Sequence, residues 1–114
     1  MATGIIPNPS AEHPITITLD STKVGLANWG TVLINQVGNF VFIRFYGVTI
    51  KVTSSNSVQV ATISANSKVT TVFPLFTTNN TLAGRIVNNV GDGKIYFAGI
   101  SANQTVLGEM VLLV

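Results

Sequence analysis

Short stretches in which apolar and polar residues alternate, separated by turn residues, recur along this sequence and restrict it to an all-β fold. ITITL at 15–19 alternates strictly, and after Gly47 the apolar residues Val48, Ile50 and Val52 alternate with polar ones. Turn signals follow one another at intervals of about 10 residues, and no stretch repeats apolar residues at the period of a helix. Because parallel strands need crossover helices, about eight or nine short strands predict an antiparallel β-sandwich or jelly-roll-like fold.

Length and proline placement predict one β-domain preceded by an arm. The chain has 114 residues, which suits a single domain that folds without disulfides. Three of its four prolines, Pro7, Pro9 and Pro14, lie in residues 1–14, so we expect an extended arm or linker there. Residues 15–114 are expected to form the single β-sandwich domain.

Charged residues are scarce, and this excludes several classes of partner. Only 9% of the residues are charged and the formal net charge is +2, whereas about 25% charged residues is usual. The lysines and arginines are well separated in the sequence, which argues against nucleic acid or an anionic membrane surface as a partner. The chain has no cysteine, so disulfides and thiol chemistry are excluded. No apolar run approaches the roughly 20 residues of a membrane span, and no secretory signal is visible, so we expect no membrane insertion.

Residue patterns for catalysis and metal binding are missing. The sequence holds four carboxylates and one histidine, His13, which lies beside Glu12. Acid–base catalysis needs positioned pairs of titratable groups, and zinc or calcium needs a spaced set of ligands. The sequence therefore predicts no enzyme, no cofactor and no metal site.

Residues 40–46 place two kinds of side chain on opposite faces of a predicted strand. The face that suits the core carries Val41, Ile43 and Phe45. The opposite face carries Phe40, Phe42, Arg44 and Tyr46. Because arginine is seldom buried without a partner, this second face either lies at a rim or meets another subunit or a ligand.

The C-terminal run at residues 105–114 is strand-like, and its last residues, 110–114, are apolar on both faces of the predicted strand. A small monomer readily covers one such face, while the second needs either a subunit partner or a central position in a monomeric sandwich. Both interpretations stay open on the sequence, and the first predicts a homo-oligomer. The residues predicted at its interface are Phe40, Phe42, Met110, Leu112 and Val114.

Aromatic side chains with a polar tip are the candidates for a ligand site, because their rings pack on the apolar faces of sugars. Tyr46 comes first, since it shares a strand face with Arg44. Trp29, which borders Gly30 at the start of a strand, comes second, with an ordinary core position as its alternative. Tyr96 comes third. The predicted hydrogen-bonding partners of the ligand are Arg44, Asn88, Asn89 and Asp92, although Asn is also common in turns for backbone reasons.

From about Trp29 onward, the order of features resembles the C-terminal modules of bacteriophage tail-fibre, baseplate and receptor-binding proteins. The resemblance is carried by GNFVFIRF at 38–45, VFPLF at 72–76, GRIV at 84–87 with GKIYF at 93–97, and the apolar last strand. It implies a homotrimeric head at the tail tip or baseplate of a virion, which attaches to saccharides on a bacterial surface. Such modules often carry a second proline with an arginine after the first, whereas Pro74 is followed by Leu75 and Phe76. No binding residue is therefore transferred from the family.

These features predict a non-enzymatic receptor-binding module, which resembles a phage host-adhesion head and binds a cell-surface saccharide. Its expected partners are copies of itself, the saccharide and other virion tail proteins, without nucleic acid. The alternative is a structural virion protein, such as a decoration, collar or baseplate adaptor protein, that binds protein partners only.

Overall fold

The computed structural model describes residues 15–114, which form eight antiparallel strands. They are β1 (Ile17–Leu19), β2 (Val24–Val37), β3 (Phe40–Ile50), β4 (Val58–Ile63), β5 (Thr71–Thr77), β6 (Leu82–Asn88), β7 (Lys94–Ala98) and β8 (Thr105–Leu113). The predicted all-β, antiparallel fold is confirmed. Within this described part, no helix is long and apolar enough to cross a membrane. The arm predicted at residues 1–14 lies outside it.

One sheet contains all eight strands and curls until its end strands meet. The strand order is β1-β4-β7-β6-β5-β8-β3-β2, so the two end strands, β1 and β2, are also consecutive in the sequence. In the turn that joins them, the Asp20 carbonyl accepts hydrogen bonds from the amides of Lys23 and Val24 at 3.0 and 3.1 Å. The sheet is therefore nearly closed and barrel-like, and the predicted sandwich or jelly-roll arrangement is not confirmed.

Inward-facing side chains of every strand fill the interior of the curled sheet. On β3 the fully buried residues are Val41, Ile43 and Phe45, as the alternation predicts. Phe45 packs edge to face on Phe97 of β7, with ring centroids 5.4 Å apart. Truncating a buried phenylalanine to alanine typically costs about 3–5 kcal/mol, so this pair contributes strongly to the stability of the fold.

The face of the last strand, β8, that was predicted at a subunit interface points into the core of the single chain. β8 pairs with β3 from Phe40↔Leu113 to Thr49↔Thr105, and this register buries Met110 and Leu112 in the core of a single chain. The prediction that these two residues form a subunit interface is therefore wrong, because one copy already covers them. Val114 is partly buried against the same core.

Pro74 lies inside β5 and does not end the strand. The Pro74 carbonyl points at β8, since it lies 3.2 Å from where a Cβ on Gly108 would be. The missing N–H of a proline points to the same side as its carbonyl, so it also faces β8. Because β5 and β8 pair only at Phe76↔Leu107 and Thr77↔Val106, no hydrogen bond is lost at Pro74, and the strand continues.

Candidate functional site

A bulge in β2 builds an exposed aromatic site. Leu26 pairs with Val48 and Thr31 pairs with Tyr46, so residues 27–30 loop out opposite Gly47. Gly47 has a φ of +76°, a conformation that glycine adopts without steric cost. A Cβ at Gly47 would lie 2.7 Å from the Trp29 ring, and a Cβ at Gly30 would lie 2.4 Å from the Gly47 carbonyl oxygen. The bulge therefore depends on glycine at both positions.

Trp29 and Tyr46 pack edge to face at this bulge, with ring centroids 5.4 Å apart and an interplanar angle of 76°. Such a contact contributes about 0.5–1.5 kcal/mol. The two residues nevertheless remain 52% and 46% exposed. Trp29 is therefore not an ordinary core residue, and the structure brings the first two predicted ligand-site residues together.

A shallow groove of about 510 Å³ runs from Tyr46 across β8 to β5. Its floor follows the cross-strand row of Tyr46, Leu107 and Phe76. Asn80 lines the groove from the β5–β6 turn, where the hydroxyls of Thr77 and Thr81 lie 2.6 Å apart. Asn80 was not among the ligand contacts predicted from the sequence. The signal that could have indicated it is the polar run TTNN at 77–80, which is typical of an exposed turn.

Arg44 forms an ion pair with Glu109, its cross-strand neighbour on β8. The Arg44 Nη2 and Nε atoms lie 2.7 and 2.8 Å from the same carboxylate oxygen, Oε1. Both side chains are more than half exposed, and exposed ion pairs typically contribute less than about 1 kcal/mol to stability. Arg44 thus lies on the outer surface beside Tyr46, as predicted, but two of its nitrogen atoms already contact Glu109.

The other predicted ligand contacts lie at the β6–β7 turn, separated from Tyr46 by the intervening strands β5 and β8. There the Tyr96 hydroxyl donates a hydrogen bond to Asp92 Oδ2 at 3.0 Å. Burial, and next the bond to Asp92, raise the pKa of Tyr96. This turn is a second, separate polar cluster, so a single site that contains all the predicted residues is not formed.

Asn88 supports the β6–β7 turn from inside and is not available to a ligand. It is fully buried, and its Nδ2 donates to the carbonyl oxygens of Asp92 and Lys94 at 3.2 and 2.9 Å. The prediction that Asn88 contacts a ligand is therefore wrong. Asn89 is exposed, but its carbonyl accepts the Ser67 hydroxyl at 2.8 Å, which gives its backbone a structural part in the same turn.

An apolar surface covers the outside of β2, β3 and β8 on the far side of Arg44 from Tyr46. We call it the outer face, and it consists of Leu33, Val37, Phe40, Phe42, Val111 and Leu113. The first four are 44–60% exposed, and a shallow groove of about 430 Å³ crosses this surface. Phe40 and Phe42, which were predicted at a subunit interface, are thus exposed on this surface, whereas on β8 the outward residues are Val111 and Leu113.

Among residues 15–114, no group of three or more His, Cys, Asp or Glu side chains is placed to hold a metal ion. Glu12 and His13 lie outside these residues. No family model, curated protein or solved structure matches the chain. The likeness to phage receptor-binding modules therefore stays a prediction.

Proposed function

We propose that the protein is a non-enzymatic binding module that holds a saccharide on the Trp29–Tyr46 pair. The observation that carries the proposal is the pair itself, in which two large rings stay about half exposed although a dedicated bulge fixes them. Leaving large apolar groups in water forgoes about 1.5–3 kcal/mol each. A backbone that holds both rings half exposed and requires glycine at two positions is typical of a functional surface.

The groups around the pair suit a sugar. The open ring surface of Trp29 offers a platform for the C–H face of a pyranose. Tyr46 and Asn80 line the groove that begins at this pair, and a phenol hydroxyl and a side-chain amide can both donate to and accept from sugar hydroxyls. Arg44 also lines this groove, and its guanidinium carries further N–H donors besides the two atoms that contact Glu109. Such contacts are individually weak, so useful affinity requires several copies that bind together.

The resemblance noted in the sequence extends this proposal to a biological setting. In that setting the module is a trimeric head of the sandwich or jelly-roll type, at the tail tip or baseplate of a virion. Its receptor is a saccharide on the bacterial surface, and its neighbours are other tail proteins. A homo-oligomer is further supported by the outer face, which leaves large apolar side chains in water on a single copy.

The second candidate function is structural, and the outer face favours it. A virion adaptor, collar or decoration protein needs an apolar surface for protein partners and no sugar platform. Four large apolar side chains about half exposed on two adjacent strands meet that need. The two candidates differ in what they require of Trp29, because a structural subunit has no use for an exposed ring at the bulge.

A glycan array probed with the full chain tests the primary proposal. We expect binding to a defined set of saccharides, which Trp29→Ala and Tyr46→Ala each weaken by about 5- to 150-fold, the range of a 1–3 kcal/mol anchor. Val90→Ala is the matched control, because Val90 is an exposed apolar residue at the β6–β7 turn. If both aromatic variants fold by circular dichroism and bind like the parent, the saccharide proposal is wrong and the structural alternative replaces it.

A further inference from the structure

We infer that the outer face binds a second copy of this chain, and that Arg44 of one copy then faces Glu109 of the other. This inference rests on the homo-oligomer in the proposed function and not on saccharide binding. Because the contact is self-complementary and closes with two copies, it gives a dimer in place of the trimer that the resemblance implies. It is carried by the composition of the outer face and by the place of the Arg44–Glu109 pair at its border.

The outer face supplies a substantial part of the area that a stable interface needs. Its four exposed members, Leu33, Val37, Phe40 and Phe42, are 44–60% exposed, which corresponds to roughly 400 Å² for side chains of about 150–250 Å². Val111, Leu113 and the stems of Arg44 and Glu109 add to this surface. A standard interface takes roughly 800 Å² from each partner, so the four exposed side chains supply about half of that area and the surface around them supplies the rest.

The charges on these strands favour a copy of the same chain over a different partner. β2 has no charged residue, β3 has only Arg44, and β8 has only Glu109. A surface for a strongly acidic or basic partner would carry an excess of one sign, but here one cation and one anion lie side by side. Such a surface complements itself, because a second copy can present its anion to the cation and its cation to the anion.

A second copy that covers the Arg44–Glu109 pair makes both of its charges necessary for the contact. In an open surface the ion pair contributes little, whereas under a second copy each charge loses water and needs an opposite partner. Two copies that bring their pairs together form an alternating group of four charges, in which every carboxylate has a neighbouring guanidinium. Changing one sign leaves like charges facing each other at a desolvated interface.

The test uses complementary charge variants of the full chain and measures mass by light scattering. In Arg44→Glu the side chains at positions 44 and 109 are both carboxylates, and in Glu109→Arg they are both guanidinium groups. Two copies of one variant therefore repel each other, and each variant is expected to stay near the monomer mass of 12.0 kDa at micromolar concentration. An equimolar mixture of the two should assemble, and so should the double variant R44E/E109R alone. The parent should assemble too. Arg85→Glu is the control and should assemble like the parent, because Arg85 is an exposed cation on β6, outside the outer face.

A second pair of variants tests the face without changing charge. Phe42→Ser should lower the mass to that of a monomer, and Val90→Ser should assemble like the parent. The inference is overturned if the parent itself has a mass near 12.0 kDa, if the folded single variants assemble alone, if their mixture remains monomeric, or if Phe42→Ser assembles. A monomeric parent would also remove the homo-oligomer from the proposed function, while an oligomeric parent with unaffected variants would place the contact on another face. Neither result touches saccharide binding by Trp29, which is measured separately.

Discussion

Arg44 lies between Tyr46 and Phe42 on the outer side of β3 and forms an ion pair with Glu109 across the boundary to β8. On one side of this pair is the aromatic site at the bulge, and on the other is the apolar outer face. This ion pair therefore separates a surface suited to a sugar from a surface suited to a protein. Variants at Trp29 change only the first surface and variants at Phe42 only the second, whereas Arg44 and Glu109 border both.

The bulge depends on Gly47, so Gly47→Ala should displace Trp29. The new Cβ would lie 2.7 Å from the ring, and the φ of +76° is unfavourable for alanine, so we expect a loss of about 1–3 kcal/mol in the free energy of unfolding. Trp29 is the only tryptophan, so near-ultraviolet circular dichroism should report its displacement. Gly38→Ala is the control: Gly38 also has a positive φ, but a Cβ there meets nothing within 4 Å. An unchanged tryptophan signal in Gly47→Ala would show that the bulge does not hold the ring.

Asn88 should matter more for stability than the neighbouring Asn89. Asn88→Ala removes two buried hydrogen bonds to the carbonyls of Asp92 and Lys94 and should cost about 1–3 kcal/mol in urea unfolding. Asn89→Ala should be nearly neutral, because Asn89 is exposed and contributes to the turn through its backbone carbonyl. Equal stability of the two variants would contradict the structural role of Asn88.

The phenol of Tyr96 should ionise above its usual pKa of 10.0, because burial disfavours the phenolate and Asp92 adds to this effect. The folded state therefore favours neutral Tyr96. Its contribution to stability is fully present below the ordinary pKa and is lost as the pH rises through the higher pKa of the folded protein. Asp92→Asn should lower this pKa part of the way toward 10.0. The difference between the phenolate absorbance of the parent and of Tyr96→Phe measures it, and ionisation at or below 10.0 would contradict the prediction.

Two neighbouring leucines test the register of β8. Leu112 is fully buried and Leu113 faces outward, so Leu112→Asp should unfold the chain, since an unpaired buried carboxylate costs several kcal/mol. Leu113→Asp should keep the fold, as seen by far-ultraviolet circular dichroism, and weaken association. The reverse behaviour of the two variants would show that the strand is shifted by one residue.

Strand alternation was sufficient to predict the faces of β3. The polar and aromatic side of residues 40–46 contains an arginine, so the opposite side, with Val41, Ile43 and Phe45, had to be the core, and this is confirmed. The same reasoning failed for β8, because its last residues are apolar on both sides. Only the pairing with β3 decides which side of such a strand is inside.

The two aromatic residues of the candidate site were predictable from the sequence, but its polar residues and its geometry were not. Aromatic rings with a polar tip suggested Trp29 and Tyr46 as ligand contacts. The contact between the two rings depends on the bulge at residues 27–30 of β2, and such a bulge leaves no periodic signal in the sequence. Asn88 was chosen because an Asn-rich loop can present hydrogen-bonding groups to a ligand. Its burial results from the way the turn folds over its side chain, and the residue type alone does not show this.

Fluorescence of Trp29 provides the most direct measurement of the central claim, since the chain has no other tryptophan. The parent is titrated with the saccharide that binds most strongly on the glycan array. We predict a saturable change in Trp29 emission, whose midpoint moves to about 5- to 150-fold higher saccharide concentration in Tyr46→Ala and is unchanged in Val90→Ala. Saccharide binding that calorimetry detects but that leaves the emission of Trp29 unchanged would contradict the account, because the sugar would then occupy another part of the molecule.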